Sequence, residues 1–226
     1  MKRFWQEVTL DADNGVLLDG RPVRTPGRVP LALPTRVLAE AVAEEWRAVG
    51  ETLDPRAMPL TGLANAAIDR IAPDPAPFVM DIARYAETDL VCYRADSPAE
   101  LVDRQRAAWE PLLDWARQRY DVHFETTAGV MHVAQPQATL ERLAEAVAAR
   151  DPFTLTAMQA LVSATGTIVG TLALAEGAID AEALWRAAQI DEDWQAGQWG
   201  EDELATRARA AKRAGFDAAT RFLAAL

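Results

Sequence analysis

From Phe153 to Ala175 the chain runs without a charged residue, and whatever surrounds this stretch decides the fold. A bilayer could do so, since about 20 apolar residues cross the hydrocarbon layer. The residues themselves argue for protein instead. Thr154, Thr156, Gln159, Ser163, Thr165, Thr167 and Thr171 would lie unpartnered in lipid, and no Lys/Arg cluster or aromatic belt flanks the run. A helix apolar on all sides belongs in a core, so the stretch predicts a central helix packed among other helices. On it, Gly166 and Gly170 stand four apart and would let a neighbouring helix approach closely.

The first third of the chain has a different periodicity. Phe4 to Leu10 and Val16 to Leu18 read as strands joined by the Asn14-Gly15 turn, Asp19-Gly20 turns again, and Val23 to Thr25 can pair as a third strand before Pro26-Gly27. Thr35 then caps a helix in which Leu38, Val42, Trp46 and Val49 recur at helical spacing until Gly50. Leu53 to Met58 reads as extended and Leu60 to Ile71 as helix. Pro73, Pro75 and Pro77 mark the strongest boundary.

Beyond it the pattern is helical over Phe78–Thr88, Ala99–Tyr120 with an interruption or kink near Pro111, Thr139–Ala149, Thr154–Ala175, Ala181–Asp193 and Glu201–Leu226. Leu90 to Tyr93 and Val122 to Glu125 are short strand-like pieces. The fold class expected is α+β: a small N-terminal antiparallel sheet with a packed helix over residues 1–74, then a larger all-helical domain over 75–226.

A formal net charge of -11 argues against nucleic acid or an anionic membrane as the main partner, since both reward clustered Lys and Arg. Cys92 is the only cysteine, so no intramolecular disulfide forms and a reducing compartment fits. The first residues, Met1 to Glu7, lack a secretory apolar region or an Arg/Ser-rich transit segment. The expectation is a protein kept in a bacterial cytoplasm, or a mature organellar form.

Sites of chemistry are hard to find. His123 and His132 lack the spacing of a metal site, and Cys92 sits in an apolar run without a basic neighbour to favour a thiolate. Gly166 to Gly170 lacks the lysine of a phosphate-binding loop, and no Gly-x-Ser-x-Gly motif occurs. No metal or other cofactor is expected. The exception to this blandness is the segment from Ile190 to Glu203, with six carboxylates, two tryptophans and no Lys or Arg.

Asp191, Glu192 and Asp193 could serve a magnesium-dependent enzyme, yet consecutive helical residues fan apart rather than converge. Trp46, Trp109, Trp115 and Trp185 stand among apolar residues and read as core. Trp194 and Trp199 stand beside acids, Gln and glycines, and tryptophan ringed by polar groups is the composition of a binding hot spot. The alternative is that both indoles turn inward and only the acids face water.

Several stretches together resemble the assembly chaperones of the F-type ATP synthase that act on the alpha subunit of its catalytic sector. They are Arg3-Phe4-Trp5, Leu18 to Gly27, Leu33 to Thr35, Glu45-Trp46, Met58 to Asp69, Tyr85 to Ala95, Trp109 to Ala116, Gly129 to Pro136 and Asp191 to Asp202. Ala66 and Gly197 depart from the family pattern. The resemblance implies a non-catalytic protein that binds the unassembled alpha subunit and shields surface later buried against beta subunits. It places Asp191, Glu192, Asp193 and the pair Trp199-Gly200 at functional positions; with Trp194, a candidate by composition, and the adjoining Glu201 they make up the expected partner-binding site, and a monomer is expected. Relatives of this kind in eukaryotes would act in the mitochondrial matrix. An enzyme built on the carboxylate cluster and a general protein-interaction adaptor are the competing readings.

Overall fold

The structure is a computed structural model that describes residues 2–129, 131–200 and 203–226. It is α+β, with a three-stranded antiparallel sheet at the start of the chain and helices through most of the remainder. Packing divides it into two compact units. The first comprises residues 1–75, 151–157 and 215–226, and the second 76–150 and 158–214. A division at 74/75 follows the chain, whereas the packing units follow the apolar side chains. Phe153, Ala157 and Phe222 belong to the cluster formed by Trp5, Val16, Leu31, Leu38 and Trp46.

In the first unit β1 (Val8–Leu10) pairs antiparallel with β2 (Val16–Leu18), Val8 opposite Leu18 and Leu10 opposite Val16. Val8, Val16 and Leu18 are buried, as strand alternation requires. Asn14 turns the hairpin with a left-handed φ of 61°. Asp19 and Gly20 follow at φ 49° and 75°, and lead into β3 (Arg21–Pro22). The strands are shorter than the sequence pattern suggests. Val23 instead donates irregularly to the Val16 carbonyl and accepts from Leu31.

Thr35 caps α1 (Arg36–Ala48) by accepting from the Leu38 amide at 3.1 Å, and its hydroxyl also donates to the Ala225 carbonyl. Leu38, Val42 and Trp46 form the buried stripe. On the same helix Glu45 accepts from the amides of Leu60 and Thr61, each at 2.8 Å, and so caps α2 (Pro59–Ala66). The expected extended piece before it contains a 3-10 turn over Pro55–Ala57, because the Asp54 carboxylate takes the Arg56 amide at 3.0 Å. After α2 the chain widens into a π turn over Ala67–Ile71, where Asp69 accepts from Thr25 Oγ1 at 2.6 Å and from the Gly27 amide at 2.7 Å.

The remaining helices are α3 (Ala76–Ala83), α4 (Ala99–Tyr120), α5 (Gln137–Ala148), α6 (Pro152–Thr165), α7 (Ile168–Ala175), α8 (Ala181–Ala188), α9 (Ile190–Trp199) and α10 (Glu203–Ala224). Pro111 does not interrupt α4. β4 (Tyr93–Arg94) and β5 (Thr127–Ala128) form a short parallel pair. No helix among the described residues is long and apolar enough to cross a membrane.

The uncharged run is mostly buried, with Ser163 exposed, but it forms two helices rather than one. Gly166 ends α6 at φ 71°, a conformation that disfavours any side chain, and the Thr167 hydroxyl caps α7 by accepting from the Gly170 amide at 3.0 Å. The two glycines therefore act differently. Gly170 alone makes the close approach, since a Cβ there would lie 2.5 Å from Leu184 Cδ1 on α8.

The start of α7 is also held by Asp89, which has no exposed surface. Its carboxylate accepts from the Val169 amide at 2.9 Å and from the Val91 amide at 3.1 Å. Burial pushes its pKa up to about 6 against these donors, and the neighbouring Cys92 thiol is pushed up to about 12, chiefly by burial and next by the Asp89 charge. Cys92 is a core residue.

The sign of the Asp89 linkage follows from a folded pKa of about 6 above the ordinary 3.8. Between those values the folded chain binds a proton that the unfolded chain does not. Asp89 then contributes stability that is fully present below the lower value and lost as pH rises through the upper one, on the order of 3 kcal/mol. Asp89→Asn removes this dependence and turns an amide NH2 toward a main-chain N–H, costing about 1–3 kcal/mol. Urea unfolding from pH 4 to 8 should show the variant less stable throughout. The gap should widen as pH falls.

Candidate functional site

Trp109 and Gln189 set the position of the acidic segment. The Trp109 indole, 1% exposed, donates to the Ala187 carbonyl at 2.8 Å, and the buried Gln189 breaks the chain between α8 and α9. None of the residues of α9 is buried. It presents its acids and indoles at the surface, but the side chains are not equivalent.

Asp191 is half-buried and accepts from Gln105 Nε2 at 2.6 Å. The same Gln105, 1% exposed, accepts from the Ala95 amide at 2.7 Å. One buried amide thereby ties α9 to the segment after β4. Burial raises the Asp191 pKa, the Gln105 bond opposes the rise, and the Glu192 charge adds to it.

The other two acids are paired within the chain. Glu192 lies 3.5 Å from Lys212 Nζ, and Asp193 accepts from Arg209, both cations belonging to α10. The absence of Lys and Arg within the segment is thus offset by a helix that follows it. Trp194 is half-buried with the Arg104 guanidinium 5.1 Å from its ring centroid, an arrangement of cation over indole face that is favourable in itself.

Trp199 is 81% exposed and Leu204 77%. Gly200 closes α9 at φ 79°, its amide donating to the Ala196 carbonyl at 2.8 Å, so glycine is the residue this cap favours. Glu201 lies outside the described residues.

Two grooves flank α9, and Gln195 and Trp199 line both. The first, about 390 Å³, lies against α10 and is lined by Ala196, Ala205 and Ala208 with Glu192, Arg209 and Lys212 at its rim. The second, about 450 Å³, runs along residues 93–98 and takes in Asp191 and Trp194. Asp191, Trp194 and Trp199 therefore meet in one groove, and Glu192, Trp199 and Gly200 in the other. Asp193 lines neither.

Sequence reading missed Gln105, the 93–98 wall and the α10 cations. Arg209 and Lys212 were visible only as the basic stretch from Arg207 to Arg213, whose spacing puts two cations and two alanines on one helix face.

The other candidates do not converge. Trp46, Trp109 and Trp185 are core, while Trp115 is half-buried and stacks edge-on with Tyr120 at 5.6 Å. His132 Nδ1 bonds the Tyr93 hydroxyl at 3.0 Å, and His123 stands 3.3 Å from Glu125. Among the described residues no group of three or more His, Cys, Asp or Glu side chains could hold a metal ion.

The fold is that of an α+β protein with no buried residue in α9, and solved structures share this architecture. Atp12 from Paracoccus denitrificans is 43% identical with a TM-score of 0.92, the match covering 99% of this chain and 97% of that one. An aspartate-to-lysine variant of the same protein gives 43% and 0.93 over the same shares. A protein of Agrobacterium tumefaciens described as a candidate chaperone gives 41% and 0.92, covering 99% of this chain and 85% of that one.

The family profile described as ATP12 chaperone protein matches residues 2–117. The chain belongs to the ATP12 chaperone family. Its profile match stops short of α9, while the structural matches extend over it.

Gln105 and Trp199 should behave oppositely when removed. Gln105→Ala leaves the Ala95 amide and the Asp191 carboxylate without their buried partner, and should cost about 1–3 kcal/mol in urea unfolding. Trp199→Ala, at an exposed helix end, should change stability by no more than about 0.5 kcal/mol.

Proposed function

We propose that this ATP12-family chaperone serves assembly of the F-type ATP synthase by binding the unassembled alpha subunit. It covers surface later buried against beta subunits and so prevents aggregation. The observation that supports this reading most directly is Trp199, a large apolar side chain 81% exposed between two grooves whose walls combine apolar residues with acids and amides. An indole in that setting is costly to expose and contributes strongly when a partner covers it.

On this reading the residues of the segment divide the work. Trp199, with Gly200 fixing the turn beneath it, contacts the client. Trp194 and Asp191 hold α9 against the body through Arg104 and Gln105, and the pairs Glu192–Lys212 and Asp193–Arg209 hold it against α10. Glu201 completes the proposed partner-binding set. The protein works as a monomer without nucleotide turnover, in the cytoplasm of a bacterium or the matrix of a mitochondrion.

The test is aggregation of isolated alpha subunit followed by light scattering. Wild-type chain at equimolar ratio should suppress it. Trp199→Ala should weaken binding by about 30-fold, the loss typical of a hot-spot residue, with its unfolding midpoint unchanged. Full suppression by that variant would remove Trp199 from the client surface, and no suppression by wild type would remove the client.

A further inference from the structure

The two grooves beside α9 differ in charge, and the difference identifies what one of them takes. In the groove against α10 the charges are balanced, because Glu192 and Lys212 face each other and Arg209 bonds Asp193. In the groove along residues 93–98 they are not. Its lining is mostly apolar, with Pro98, Leu101, Trp194 and Trp199, and it contains two carboxylates, Asp96 and Asp191.

Among the described residues Arg94 is the one cation in that lining, and it is engaged elsewhere. Its guanidinium bonds Glu110 at 3.1 Å and the Val91 carbonyl at 3.2 Å, lies 5.5 Å from the Trp109 ring centroid, and leaves the side chain 14% exposed. Asp96 accepts only from the adjacent Ser97 hydroxyl at 3.3 Å, and Asp191 only from the neutral Gln105. Neither carboxylate has a cationic partner among the described residues.

The wall carries a third feature. Between β4 and α4 the chain is neither strand nor helix, and among the described residues the amides of Asp96 and Ser97 have no acceptor. An extended segment laid along the wall could supply carbonyls to them, as in strand addition to an exposed edge.

We propose that this groove takes an extended, mostly apolar segment of the client that carries an arginine or lysine. The cationic head lies between Asp96 and Asp191 near the Trp199 indole, and the flanking apolar side chains lie on Pro98 and Leu101. The inference rests on the reading of α9 as the client surface and adds the kind of segment it recognises. Charge complementarity makes it selective, because a segment with an acid at the same place meets two carboxylates.

The experiment uses the full chain and fluorescein-labelled decapeptides that alternate valine and threonine around a central arginine, norleucine or glutamate, read by fluorescence anisotropy. The arginine peptide should bind about tenfold more tightly than the norleucine peptide, and the glutamate peptide more weakly than either. Asp96 is exposed, so Asp96→Asn leaves folding intact. It should weaken the arginine peptide about tenfold and leave the norleucine peptide unchanged. Trp199→Ala should weaken both.

Equal affinity for arginine and norleucine peptides, or indifference to Asp96→Asn, overturns the proposal. So does self-association of the chain that competes with the peptides, since the groove would then belong to a second copy. If the peptides discriminate as expected but alpha subunit aggregates unprotected, the groove assignment stands and the client reading falls. If Trp199→Ala abolishes protection while no peptide discriminates, the client reading stands and the groove assignment falls.

Discussion

Much of the second unit depends on one carboxylate without exposed surface. Asp89 joins the turn at Leu90–Cys92 to the first amides of α7, and Leu90 in turn donates to the Gly166 carbonyl at 3.0 Å. The uncharged run could not otherwise be broken inside a core. A helix start exposes main-chain N–H groups, and burying them without acceptors costs about 1–3 kcal/mol each. Thr167 satisfies one and Asp89 another, so a chain that cannot be one long helix becomes two short ones around an anion.

The same device recurs in the first unit with other acids. Glu45 takes the amides that open α2, Asp69 takes the Gly27 amide, and Asp19 takes those of Gln6 and Glu7 at 3.0 and 2.8 Å. Part of the net charge of -11 is therefore architecture rather than a field for steering partners. That bears on α9 as well. Two of its acids are bonded to α10, so what distinguishes this surface is an indole set between two grooves, of which one keeps carboxylates without a counter-ion among the described residues.

How much of this could be read beforehand depended on the range of the interaction concerned. The Asn14 turn, the Thr35 cap and the buried stripe of α1 rest on contacts within a few residues, and all were legible. The break at Gly166 was not, because a glycine in an apolar run reads equally well as a packing residue, and Asp89 lies about eighty positions away. Whereas the helix expected over 181–193 breaks at Gln189 and resumes as α9 through Trp199, the candidacy of Trp199 as a contact residue followed from composition. The roles of Gln105, Arg209 and Lys212 did not, since each reaches α9 from another helix and nothing local marks it.

The membership of the first unit has a consequence for how the chain comes into being. Its core includes Phe222, with no exposed surface, and Phe222 stacks with Phe153 at 6.2 Å. Thr35, which opens α1, is bonded to the carbonyl of Ala225. A ribosome delivers residues 1–75 long before these partners. The sheet and α1 therefore wait with one side of their core open until α6 and α10 have emerged, and this unit closes only when both are released. A protein of the chaperone class thus spends its own synthesis with apolar surface uncovered.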